Sequence, residues 1–151
     1  MVKDSSAVIV HGTCVSIDGK GVLLRGAPGS GKSDLALRVL YSPPSTWSET
    51  AVLVADDRVI LKRQKETVLA ECPPELSGLI EVRGIGLVPV FNIGNAPLKL
   101  LIDLGPSCDV PRFPDPIAHE QIFGIAFPRL DLDPFEASAA LKLVLAIRKF
   151  V

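Results

Sequence analysis

The strongest chemical signal in this chain is the run from Gly26 to Ser33, which reads Gly-Ala-Pro-Gly-Ser-Gly-Lys-Ser. It satisfies the phosphate-binding pattern G-x-x-x-x-G-K-[ST] at every position. Gly26, Gly29 and Gly31 let the backbone curl so that several N–H groups converge on an anion. Ala27, Pro28 and Ser30 complete the loop. Lys32 has the reach to contact the outer phosphates of a polyphosphate, and the Ser33 hydroxyl can bind Mg²⁺. A short apolar run, Gly21 to Arg25, precedes the loop, and Asp34 to Leu40 follows it with apolar residues at helical spacing. Strand, glycine-rich loop, helix is the context that makes the pattern a site, because the helix start adds its partial positive charge.

Two acidic clusters could complete that chemistry. Ala51 to Ala55 is a continuous apolar run, the mark of a strand buried on both faces, and it ends in Asp56-Asp57. A hydrophobic strand ending in Asp places a carboxylate beside Mg²⁺ in phosphate-loop enzymes. Adjacent carboxylates on an extended chain point in different directions, so one can face the metal and the other an attacking hydroxyl. Farther on, Ile80 to Val88 reads as one strand with Glu81 and Arg83 on the same face. By their chemistry these two fit either a Mg²⁺–nucleotide site or an ordinary surface pair. His11 stands at a strand end, where a lone histidine is more often structural than functional.

The elements that must position these groups follow from pattern and punctuation. Ala7 to Val10 and Thr13 to Ile17 read as strands, and Asp18-Gly19-Lys20-Gly21 is a turn that delivers the chain into the loop. The helix after the loop is expected over Lys32 to about Tyr41. Ser42 to Ser48, with Pro43, Pro44 and Trp47, breaks it as an exposed loop, with Trp47 folding back on the core. Strands are expected at Arg58 to Lys62, within Gln64 to Ala70, at Leu98 to Leu104 and at Ile122 to Phe127, the last two pairing. One helical turn is expected over Leu76 to Leu79. A final helix is expected from about Phe135 to Lys149, with Asp133 as N-cap, Pro134 at the first position, and a face formed by Leu141, Val144, Leu145 and Arg148.

Bulk properties narrow the class. A chain of 151 residues is expected to form a single domain, 1–151, with a sizeable core. A net charge of −1 gives no field that would draw it to nucleic acid or lipid. No apolar run approaches the roughly 20 residues needed to cross a bilayer, and the polar start lacks the pattern of a secretory leader. Cys14, Cys72 and Cys108 show neither metal-ligand spacing nor a disulfide framework, which fits a reducing cytoplasm.

Four stretches together carry a family resemblance: His11-Gly12, the loop at 26–33, Leu53-Val54-Ala55-Asp56-Asp57-Arg58-Val59, and Glu81-Val82-Arg83-Gly84-Ile85-Gly86. In order and separation they resemble the catalytic domain of HPr kinase/phosphorylase, over Ala7 to about Val90. The resemblance implies an α/β, phosphate-loop-containing fold like that of phosphoenolpyruvate carboxykinase, a mixed sheet with flanking helices. It implies a protein serine kinase that uses ATP and Mg²⁺ on the phosphocarrier protein HPr, and a homo-oligomer, a hexamer in the family. It assigns Lys32 to phosphate, Ser33 and Glu81 to Mg²⁺, Asp57 to the proton of the incoming serine with Asp56 assisting, and His11 to the active site. The chain resembles a short form of the family that begins almost at the catalytic domain. The family's arginine-bearing Pro-Gly-Arg-Asn loop is replaced by Asp133 to Ala139, with Arg129 as the nearest substitute, and the family's tail is lacking. Kinase rather than phosphorylase activity is therefore expected. The rivals are a small-molecule kinase with the same loop and an ATP-binding regulator without transfer activity.

Overall fold

A computed structural model describes residues 6–42 and 51–151, so the segment carrying Trp47 lies outside the described residues. Eleven strands and two helices are found among them. In chain order they are β1 (Ala7–His11), β2 (Thr13–Ile17), β3 (Lys20–Arg25), α1 (Lys32–Leu40), β4 (Ala51–Ala55), β5 (Arg58–Gln64), β6 (Thr67–Glu71), β7 (Leu79–Val82), β8 (Gly86–Pro89), β9 (Asn95–Leu104), β10 (Ala118–Ile122), β11 (Ile125–Leu132) and α2 (Ala139–Phe150).

Nine strands form one mixed sheet. Its main path runs β1-β5-β6-β9-β3-β2-β4, and β11 pairs with β9 while carrying β10 on its other side. The pairs β3–β9 and β9–β11 are parallel. Strand β2 is antiparallel to both β3 and β4, so β4 runs in the same direction as β3. The carboxyl ends of β3, β4, β9 and β11 therefore finish on one edge, the edge where open α/β sheets bind ligands.

Alternation along the central strands divides the core between the two faces. Val22 and Leu24 of β3, with Val15 and Ile17 of β2, pack against Leu35 and Val39 of α1 and Leu143, Val144 and Ile147 of α2. Leu23 and Cys14 point the other way, into a second cluster with Val59, Leu61, Val68, Ala70 and Leu101. Both described helices thus cover one face, and the curl of the sheet closes the other with β5 and β6. Burial pushes the Cys14 thiol up to about 12, so it behaves as a core residue rather than a nucleophile. None of the described helices is long and apolar enough to cross a membrane.

The architecture agrees with a mixed sheet and helices, and α1 and β4 stand close to their expected limits. Four local expectations are corrected. The stretch 80–88 is a hairpin, β7–β8, because Val82 and Gly86 pair and the three residues between them form the turn. Arg83 lies in that turn, so strict alternation with Glu81 does not apply. The helical turn expected at Leu76 to Leu79 is a 3₁₀ turn at Pro74–Leu76, and Leu79 already belongs to β7. The strand expected at Ile122 to Phe127 is split by a turn at Phe123-Gly124, where both residues have positive φ. Its second half is part of β11, but the residues of β11 that pair with β9 are Arg129 to Leu132, beyond the expected stretch.

The last helix starts at Ala139, not near Phe135. The Asp133 carboxylate does accept the Phe135 N–H at 2.9 Å, but it also accepts the Ser107 N–H and hydroxyl, which ties it to a distant loop and delays the helix. Its buried face is Leu143, Val144, Ala146 and Ile147, while Leu141 and Leu145 are exposed.

Candidate functional site

The phosphate loop follows β3 directly and opens into α1. Gly31 precedes the helix with φ 97°, in the left-handed region, and no side chain caps the helix start. The first N–H groups of α1 are thereby left for a ligand rather than a cap. At Gly26 a Cβ would lie 2.4 Å from Ser30 Oγ, so the loop closes only around glycine. The Lys32 ammonium donates to the carbonyls of Gly26 at 2.7 Å and Ala27 at 3.0 Å, which folds the side chain back across the loop.

A cleft of about 780 Å³ lies over this edge. It is lined by Pro28, Gly29, Gly31, Lys32 and Ser33 from the loop, by Asp56 and Asp57 after β4, and by Glu81 and Arg83 from the hairpin. Sequence positions as far apart as 28 and 83 thus converge on one cavity. The hairpin is brought there by the chain that follows it. Leu53 of β4 donates its N–H to Phe91 O at 3.1 Å and accepts the Ile93 N–H at 3.0 Å, so the segment after β8 docks along the edge of β4.

Asp56 is the hub. It is 5% exposed, and its Oδ1 accepts hydrogen bonds from the Ser33 hydroxyl at 2.6 Å and the Thr13 hydroxyl at 2.8 Å. Its Oδ2 accepts the backbone N–H of Glu81 at 3.0 Å. One buried carboxylate therefore joins the phosphate loop, the start of β2 and the hairpin, and such charge-assisted bonds are the stronger kind. Asp57 next to it is exposed, with φ 70°. Its conformation is held from both sides, since Gly12 donates to Asp57 O at 3.1 Å and the Arg58 N–H returns to Asp56 O at 2.9 Å. A left-handed non-glycine residue costs of order 1–3 kcal/mol and persists where its surroundings enforce it. Here it turns one carboxylate inward and leaves its neighbour facing the cleft.

Glu81 also lines the cleft with its side chain exposed. Among the described residues no three carboxylate, histidine or cysteine side chains are grouped to cage a metal by themselves. That suits Mg²⁺, which is commonly held by one or two protein oxygens together with substrate phosphates. The donors here are hard oxygens (Ser33, Asp56, Glu81), and the buried Ser30 Oγ has no hydrogen-bond partner. The residues present therefore fit a magnesium-bound polyphosphate.

Gly26, Ala27 and Ser30 form the loop without lining the cleft, and two expected site residues outside the loop also stand apart from the lining. His11 is exposed at the end of β1, opposite Arg58, one residue before the Gly12 that holds Asp57. Arg129 is committed elsewhere: its guanidinium bonds Asp103 at 2.9 Å and Asp131 at 3.4 Å, within a network that includes Arg25 and Glu120. Burial works to raise the Asp103 carboxyl, but the hydrogen bonds from Arg25 and Arg129 outweigh it and hold it below the usual carboxylate range. Arg129 thus lies in an ion-pair network away from the cleft lining, and the arginine among the lining residues is Arg83. Thr13, fully buried and bonded to Asp56, was not foreseen at all.

A sheet edge carrying a phosphate loop opposite a strand-end aspartate defines a phosphate-loop α/β domain. The chain belongs to a particular family of that class, the HPr serine kinase C-terminal domain, whose family model matches residues 3–98. It is 42% identical over 88 residues to HPr kinase/phosphorylase of Lactobacillus acidophilus, covering 58% of this chain and 25% of that protein. It is 43% identical over 88 residues to that of Enterococcus faecalis, covering 58% and 26%. The matched stretch thus spans about a quarter of these relatives' length. Among solved structures, the HPr(Ser) kinase/phosphatase of Coxiella burnetii superposes with a TM-score of 0.78 at 25% identity, covering 93% of this chain and 94% of that one.

Proposed function

We propose that the chain is the catalytic domain of a protein serine kinase that transfers phosphate from ATP, with Mg²⁺, to a seryl hydroxyl of the phosphocarrier protein HPr. Family membership and the Coxiella burnetii structure support this reading. The observation that carries it is the Asp56 hub, which fixes Ser33 of the phosphate loop while leaving the Asp57 carboxylate exposed in the same cleft.

Phosphoryl transfer needs positioning and charge neutralisation more than covalent chemistry. The loop amides and Lys32 grip the phosphates. Ser33, Asp56 and Glu81 are the side chains that would hold Mg²⁺, which neutralises phosphate charge when bound. Asp57 lies within the cleft where an incoming hydroxyl must sit, and it accepts that proton as general base. Arg83 supplies the second cation of the cleft, in the role expected of Arg129. His11 acts through the Gly12–Asp57 connection. A cytoplasmic location and a homo-oligomeric assembly belong to the same reading, the latter checked by sedimentation.

Incubation with γ-labelled ATP, Mg²⁺ and purified phosphocarrier protein tests the proposal. Label on a carrier serine supports it. Label on a small metabolite instead, or tight ATP binding without transfer, contradicts it.

A further inference from the structure

The loop between β11 and α2 supplies the cleft with a side chain that the transfer chemistry does not use. Phe135 lines the same cavity as Gly31, Lys32 and Ser33, and among the described residues lining it Phe135 alone is aromatic. It keeps 73% of its surface exposed, so the ring is open to the cleft and free to meet a ligand there. The backbone around it is tied down at several points. The Asp133 carboxylate accepts the Phe135 N–H, Arg38 of α1 donates to the Pro134 carbonyl, and Glu136 bonds Ser107 and Lys142. Pro134 and Phe135 lie directly against the phosphate loop: a Cβ on Gly31 would sit 3.0 Å from Pro134 Cγ and 3.3 Å from Phe135 Cζ.

Topology decides which end of a ligand meets this ring. The phosphate loop follows β3. The acidic residues follow β4, on the β2 side of β3, while Phe135 follows β11, on the β9 side. A triphosphate on the loop must direct its terminal phosphate towards Asp57 and Glu81, where the acceptor and Mg²⁺ are served. The other end of the same ligand then points to the opposite flank. The structure assigns Phe135 as the platform on which the nucleoside base of the phosphate donor stacks, in a site closed on one side by the 133–138 loop. Aromatic stacking is indifferent to which base is offered, so the platform gives affinity for nucleotides over bare polyphosphates rather than a preference for adenine over guanine. The inference rests on the nucleotide reading above and adds the subsite for the base.

Calorimetric titration in Mg²⁺ with two probes, ATP and inorganic tripolyphosphate, separates the possibilities. Phe135→Ala is expected to weaken ATP about 5- to 150-fold, the range that loss of one stacked base implies, and to leave tripolyphosphate binding unchanged. Phe135→Leu, which keeps the apolar bulk without the π face, should recover little of the loss. Phe135→Trp should retain ATP affinity, and its indole emission, read against the single natural tryptophan, should change with ATP and not with tripolyphosphate. Unchanged ATP affinity in Phe135→Ala overturns the assignment. An equal loss for both probes also overturns it, because the ring would then be supporting the loop. Failure of the underlying nucleotide reading looks different: the unsubstituted protein would bind neither probe.

Discussion

The two flanks of the cleft are held by different kinds of bond. On the β4 side, Asp56 is buried and takes hydrogen bonds from three separate segments, around Thr13, Ser33 and Glu81. On the β11 side, the 133–138 loop is held by more open bonds: Asp133 with Ser107 and Glu136 with Lys142 at the surface, and a half-buried bond from Arg38 to the Pro134 carbonyl. Exposed pairs contribute little each and are screened by salt, whereas a buried carboxylate stripped of a donor is costly. The family match follows the same division. It runs over residues 3–98, which include the whole acidic flank, while the structural likeness extends to 93% of the chain. The fold is thus shared more widely than the sequence, and the flank inside the family match is the one built around a buried carboxylate.

The largest expected effect lies on the buried flank. Asp57→Asn keeps a residue that tolerates positive φ and removes only the base, so transfer should fall by about 10²–10⁴-fold while ATP binding persists. A transfer rate equal to wild type would leave Asp57 without a role. Next, Gly31→Ala joins the two flanks in one test. It forces a left-handed alanine and crowds Pro134, so it should cost about 1–3 kcal/mol in denaturant unfolding and loosen both the loop and the Phe135 segment. Stability equal to wild type would mean that the contact between loop and platform is slack.

Much of the buried flank is legible in the sequence because its signals are local. The pattern at 26–33 and the apolar run ending in Asp56-Asp57 carry their own context. Thr13 is not legible, since its partner is 43 residues away and the contact exists only because β2 lies between β3 and β4. That the Asp56 and Asp57 carboxylates point in different directions is foreseeable from an extended chain, but alternation alone does not say which one turns inward, because that depends on the positive φ of Asp57.

The other flank reads poorly for a physical reason. Asp133-Pro134 has the composition of a helix start, and tertiary bonds to Ser107 claim the carboxylate. Helix α2 is so apolar that its sequence does not say which stripe is inside, and Leu141 and Leu145 prove to face out. Arg129 looks available until β9 places Asp103 beside it.

Two further effects sharpen the contrast. Thr13→Val is nearly isosteric and removes one donor to Asp56, with an expected loss of about 1–3 kcal/mol in thermal or denaturant unfolding. The cost should be insensitive to salt, unlike that of Glu136→Gln on the exposed flank. The smallest effect concerns pH. Asp103 has a folded pKa below its unfolded value, so its contribution is present above about pH 4 and is lost as pH falls through the folded pKa. Asp103→Asn should therefore reduce stability at neutral pH and flatten the acid limb of the stability profile below about pH 4. An acid limb identical to wild type would show that the Arg25–Asp103–Arg129 network does not contribute.

The central claim is that Ser33 and Asp56 share a magnesium-bound triphosphate with the loop. Its most direct measurement is ATP affinity with and without Mg²⁺ in the wild-type protein, Ser33→Ala and Asp56→Asn, with folding of each checked by circular dichroism. Mg²⁺ is expected to tighten ATP binding in the wild type, and both variants should lose that increment while still binding ATP through Lys32. ATP binding that ignores Mg²⁺ in the wild type, or a Mg²⁺ increment that survives in both folded variants, would contradict it.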